Sequence, residues 1–187
     1  MPASDTDWQQ SRPRASGDSA AAEAGTALVL DLFERYHKEI YAYLCGMVRN
    51  RAWAEDLAQE TFLHALRARR QLPEVQNHRA WLYRVATNAA LNALKRRRRF
   101  IWLPWQAGGR EGSAPDVAEQ VGRQSALETA LASLPPGFRA SLLLYAQYAL
   151  SPAEVAAALG MSEAAARKRI YRATALFRQA YGKGDAR

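Results

Sequence analysis

The tightest constraint on the fold of this chain is the stretch of residues 151–172. It opens on Ser151-Pro152-Ala153-Glu154. Ser151 is a helix N-cap, Pro152 suits the first helical position, and Glu154 closes a capping box. Gly160 supplies the left-handed residue that ends this short helix. Ser162 caps a second helix a few residues later, and that helix carries Arg167-Lys168-Arg169 and Arg172. Two helices joined so tightly form a helix-turn-helix. Its basic second helix is of the kind that sits in a DNA major groove, the alternative being a helical hairpin with a solvated charged face.

The rest of the chain is helical as well. Leu28, Leu32, Phe33, Tyr36, Ile40, Tyr43, Leu44 and Met47 form an apolar stripe on a long helix starting at Thr26, which Asn50-Arg51 breaks. A second helix is predicted from about Ala54 to Arg70, with Ala54, Leu57, Ala58, Thr61, Phe62 and Ala65 inward. Gln71-Leu72-Pro73 ends it, and Asn77 caps a third helix running to about Arg98. Trp81, Leu82, Val85, Ala86, Ala89 and Leu94 are its buried positions. Ser125 with Glu128 forms another capping box for a helix to Leu134, and a further helix runs from Pro135-Pro136-Gly137 to about Tyr148. No alternating β pattern and no repeat interrupts this order. The expected fold is all-α: two small helical domains, residues 26–99 and 125–182, on a flexible linker, residues 100–124. Residues 1–25 are rich in Ala, Ser, Gly, Asp and Pro without periodicity and read as a disordered tail. The linker begins with the apolar Phe100-Ile101-Trp102-Leu103-Pro104-Trp105, which either packs back on the first domain or serves as a docking surface.

Charge narrows the partners. The 187 residues carry 26 Lys and Arg against 18 Asp and Glu, a formal charge of +8. Such an excess favours a polyanion, nucleic acid or an anionic membrane surface. The one cysteine, Cys45, rules out an internal disulfide, and the three histidines have no ligand spacing, so a reduced cytosolic compartment fits. No signal peptide and no membrane-spanning run is visible. No phosphate-binding loop, zinc-protease motif, dinucleotide fingerprint or nucleophile elbow is present, so neither an enzyme nor a cofactor is expected.

Three charged constellations remain. Lys95-Arg96-Arg97-Arg98-Arg99 exceeds what the dipole at a helix C-terminus needs, which makes phosphate a natural counter-ion and a solvated cluster the alternative. Upstream, the same helix presents Trp81, Tyr83, Arg84, Asn88 and Asn92. The last three fall at four-residue steps on one face, able to stack on and hydrogen-bond to unpaired bases. The second helix is opposite in character: Asp56, Gln59, Glu60 and Leu63 share a face with a negative edge, which fits solvent or a protein partner with a basic groove.

These pieces together resemble the extracytoplasmic-function group of bacterial RNA polymerase sigma factors. Ala54-Glu55-Asp56-Leu57-Ala58-Gln59-Glu60-Thr61-Phe62 resembles the family's region 2.2. Trp81-Leu82-Tyr83-Arg84-Val85-Ala86-Thr87-Asn88 with the Arg run resembles regions 2.3 and 2.4, and residues 127–134 with Pro135 resemble the start of region 4. Val155-Ala156 through Ile170-Tyr171-Arg172-Ala173 resembles region 4.2. The resemblance spans residues 26–182. It implies a specificity subunit that binds core polymerase and promoter DNA and is not itself a catalyst. Asp56, Gln59 and Glu60 match the contact to the beta-prime clamp helices, while region 4 meets the beta flap. Trp81, Arg84, Asn88, Asn92, Lys95, Arg96 and Arg97 match the surface that opens the minus-10 element. The loop of residues 71–78 would help to hold a flipped-out base. Arg167, Lys168, Tyr171 and Arg172 match the helix that reads the minus-35 element. An anti-sigma partner is implied too.

The chain departs from the pattern at Ala164-Ala165-Ala166, where a small-Thr-Val stretch is usual, so that Ala166 stands in for a larger aliphatic unless a neighbour such as Met161 fills the space. It departs again at Lys168, where a small polar residue is common. The competing reading is a stand-alone helix-turn-helix repressor on duplex half-sites, which needs neither an acidic second helix nor a strand-opening face.

Overall fold

The structure, a computed structural model, describes residues 15–101 and 126–184. Within them the secondary structure is helical: α1 (Ala15–Val48), α2 (Arg51–Arg67), α3 (His78–Ile101), α4 (Ala126–Ser133), α5 (Pro136–Leu142), α6 (Pro152–Leu159) and α7 (Glu163–Gly184), with a 3-10 turn at Leu72–Glu74. The all-α expectation holds. The start of α1 differs from it: the helix begins at Ala15 rather than Thr26, so residues 15–25 are helix and not tail. The run Ala20-Ala21-Ala22-Glu23-Ala24 has high intrinsic helix propensity. Gly25 also has a tertiary role: a Cβ there would lie 2.0 Å from the Arg69 carbonyl oxygen, so α1 crosses the end of α2 where no side chain fits. The Trp-rich linker start from Trp102 on and the Ser125 cap lie outside the described residues.

The caps follow the sequence closely. Asn50 Oδ1 accepts from the Trp53 amide at 2.8 Å and starts α2 three residues before Ala54. Asn77 Oδ1 accepts from the Ala80 amide at 2.9 Å and starts α3. Ser151 and Glu154 form the expected capping box, Gly160 sits at φ 63, and Ser162 Oγ accepts from the Ala165 amide at 3.3 Å. Ala166 is fully buried in the core, and Met161 packs partly buried against the same cluster.

The helix expected to end near Tyr148 does so in a different way. After Leu142 it widens into a π turn, Leu143–Gln147, and leaves through Ala149 in the left-handed region at φ 53. Leu143, Leu144, Tyr148 and Leu150 are all buried as a result.

The N-terminal half packs α1, α2 and α3 around Leu32, Ile40, Leu44, Met47, Leu57 and Leu82. The C-terminal half has a small core of its own in Leu134, Leu142 and Ala173, between α4, α5 and α7. The main core does not stop at the boundary between halves. Leu143, Leu144, Tyr148, Val155, Ala156, Ala166 and Ile170 belong to the same buried cluster as the N-terminal residues. The two expected domains are therefore packed on each other, α6 against α3 and α5 against α1.

Candidate nucleic-acid interface

Three surfaces were expected from the sequence, and each sits on one helix face. On α7, Arg167, Lys168, Tyr171 and Arg172 are exposed, Tyr171 at 77%. Positions i, i+1, i+4 and i+5 of a helix share one face. Arg167, Tyr171 and Arg178 line an open groove with Tyr145 of the π turn. Arg167 is oriented by Glu163 one turn earlier, its Nε donating to Oε1 at 3.1 Å.

On α3, Arg84, Asn88 and Asn92 are exposed at four-residue steps, and Lys95, Arg96 and Arg97 continue the exposed surface. The Arg97 guanidinium lies over the Trp53 ring at 5.9 Å, so one cation of the run rests on an aromatic face. The side chains of Arg98 and Arg99 lie outside the description. Trp81 is half-buried beside His64, ring centroids 5.8 Å apart. Tyr83 departs from expectation: it is fully buried rather than presented. On α2, Asp56, Gln59 and Glu60 are exposed, with Leu63 half exposed beside them and Leu30, Phe33 and Leu66 continuing an apolar margin.

Sequence reasoning missed the polar network that joins the halves. Arg139 is 8% exposed and donates to four carbonyl oxygens: Leu131, Ala132 and Leu134 at the end of α4, and Met47 at the end of α1. A guanidinium suits these positions because the helix dipoles concentrate negative charge there. Desolvation, and after it the neighbouring Arg49, lower its proton affinity. Arg79 Nη2 donates to the Tyr148 carbonyl at 2.8 Å, and Tyr83 donates to Glu39 at 3.2 Å. The Tyr43 and Thr87 hydroxyls are 2.7 Å apart. Burial pushes the phenols of Tyr43 and Tyr83 far above the ordinary range and that of Tyr148 to about 12, so all three stay neutral. No sequence motif marked these residues, since an arginine or tyrosine buried by a distant helix looks like any other.

Among the described residues no cluster of His, Cys, Asp or Glu could hold a metal ion. No described helix is long and apolar enough to cross a membrane.

Comparison with known proteins decides the family. Residues 32–100 match sigma-70 region 2 and residues 124–175 match sigma-70 region 4. The chain is 34% identical over 155 residues to the RNA polymerase sigma factor CarQ of Myxococcus xanthus, covering 82% of this chain and 88% of CarQ. The chain belongs to the extracytoplasmic-function sigma factors. Two solved structures share its fold. One is the sigma factor RpoE of Bartonella quintana in complex with the anti-sigma factor NepR, with a TM-score of 0.62 and 19% identity over 80% of this chain and 94% of RpoE. The other is CnrH in complex with the cytosolic domain of CnrY, with a TM-score of 0.61 and 22% identity over 86% of this chain and 92% of CnrH. As a sigma factor, the protein binds core RNA polymerase and directs the initiation of transcription at promoters.

Proposed function

We propose that the three surfaces divide the work of this sigma factor. The acidic face of α2, Asp56, Gln59 and Glu60, docks on the beta-prime clamp helices of core polymerase. The face of α3, with Trp81, Arg84, Asn88 and Asn92, holds the opened minus-10 strand, and Lys95, Arg96 and Arg97 follow its phosphates. Extruding a base costs a few kcal/mol of stacking, so a strand-opening surface needs both base contacts and cations. The face of α7 reads the minus-35 element in the major groove, where an Arg bidentate to guanine contributes ~1–3 kcal/mol. Region 4 also meets the beta flap. The chain has no catalytic role of its own and works in the cytoplasm, where polymerase is. An anti-sigma protein holds it when it is idle, as NepR and CnrY accompany RpoE and CnrH.

One observation carries this reading: carboxylates are exposed together on α2, whereas the exposed faces of α3 and α7 are basic. A protein that only bound DNA would not keep a negative face beside its strand-contacting helix. Run-off transcription with purified core polymerase on genomic fragments tests it. Discrete transcripts that need the chain are expected. Equal initiation by polymerase alone removes the reading.

A further inference from the structure

Beyond the proposed surfaces, the halves meet in a place that matters. Asn77 Nδ2, in the loop expected to hold a flipped base, donates to Glu154 Oε1 of α6 at 3.1 Å. Two turns into α3, the Arg84 guanidinium lies against the turn of the helix-turn-helix, 4.0 Å from where a Cβ on Gly160 would stand. Arg79 is spent on the Tyr148 carbonyl. The N-terminal end of the strand-opening helix is therefore covered by the other DNA-binding half, and a carboxylate sits on its loop. The exposed faces of α2 and α7 are left open.

This arrangement is incompatible with simultaneous promoter contact. Elements centred near positions 35 and 10 lie some 25 base pairs apart, roughly 85 Å of duplex at ~3.4 Å per base pair. Helices α3 and α6 in direct contact cannot span that distance. We propose that the free chain is latched shut, with its C-terminal half acting as an intramolecular competitor for the minus-10 surface, and that the latch opens when polymerase and promoter separate the halves. The proposal rests on the strand-opening role given to α3.

The latch is built to be reversible. The Tyr148 ring packs between Tyr43 and Tyr83, with centroids at 5.8 and 5.4 Å, but its hydroxyl is buried with no hydrogen-bond partner among the described residues. A phenol in that state weakens the closed form. Gly46 of α1 admits Leu143 of the π turn: a Cβ at Gly46 would approach only Leu143, at 3.1 Å. Two single changes should thus push in opposite directions. Gly46→Ile puts a branched Cβ against Leu143 while removing a glycine from the interior of α1, so the helix itself is not weakened. Tyr148→Phe removes the unpaired hydroxyl and tightens the latch.

The test uses the full free chain, X-ray scattering for compactness, and fluorescence anisotropy with a mixed-sequence single-stranded DNA 20-mer at fixed salt. The wild type should be compact. Gly46→Ile should have a larger radius of gyration and bind the strand about fivefold or more tightly, because apparent affinity rises with the open fraction. Tyr148→Phe should stay compact and bind more weakly than wild type. An extended wild type, or a Gly46→Ile chain that opens without gaining strand affinity, overturns the proposal. Run-off activity does not enter these readings. Loss of the sigma reading would show there alone, and loss of the latch would show here alone.

Discussion

Arg139 is a cation that no carboxylate neutralises in this structure; it is held by four carbonyl oxygens at two helix ends. Hydrogen bonds from a charged donor are stronger than neutral ones, and removing the donor leaves buried acceptors unpaired. Arg139→Met should therefore cost ~3 kcal/mol or more in urea unfolding, well beyond a surface change. Arg139→Lys should recover only part of this, since an ammonium lacks the planar fork that reaches both α4 and α1. Unfolding unchanged in both variants would mean that water replaces the side chain. Ala149 is the opposite case, a residue that strains the backbone. At φ 53 it occupies the left-handed region, which costs a residue with a Cβ ~1 kcal/mol or more. Ala149→Gly should raise the melting temperature by a few degrees, the gain being offset in part by glycine's greater freedom in the unfolded chain.

At the scale of helices, the division of charge predicts separable defects. Asp56→Lys with Glu60→Lys on exposed α2 should abolish pull-down of core polymerase while circular dichroism and the melting temperature stay near wild type. Both side chains face solvent, and surface changes seldom exceed ~0.5 kcal/mol. Arg172→Ala on α7 should reduce promoter-specific transcription more than non-specific DNA affinity. Equal losses in a salt titration would make Arg172 a phosphate contact only. That these faces could be read from the sequence has a physical reason. Caps such as Asn50, Asn77, Ser151 and Gly160 act within four residues, and a helix period sorts Asp56, Gln59 and Glu60 from Leu57 and Thr61 without knowledge of any partner. Tyr83 escaped because an aromatic between Trp81 and Arg84 suits stacking on a base as well as a core. Its burial is decided by α1 and by Tyr148, sixty-five positions further on. The π turn escaped for a related reason. Leu142, Leu143 and Leu144 satisfy an ordinary helix, and only packing against Gly46 of α1 favours the wider turn.

For the whole molecule, the question is whether two halves that the sequence separates unfold as one. Residues from Val29 to Ile170 share a single buried cluster, while the core private to the C-terminal half is small: Leu134, Leu142 and Ala173. Apolar burial contributes ~25 cal/mol per Å² removed from water, so a half with so few buried side chains of its own takes much of its stability from the shared surface. Cooperativity follows from that dependence. In hydrogen exchange, slowly exchanging amides of α2 and α7 should open with the same free energy in the wild type, and calorimetry should show one transition. Gly46→Ile, which disturbs only the contact with Leu143, should split them: α7 becomes less protected while α2 keeps nearly its original protection. If α7 exchanges independently of α2 in the wild type already, the shared core contributes little and each half stands on its own packing. If both helices lose protection equally in the variant, Gly46 supports α1 itself rather than the meeting of the halves.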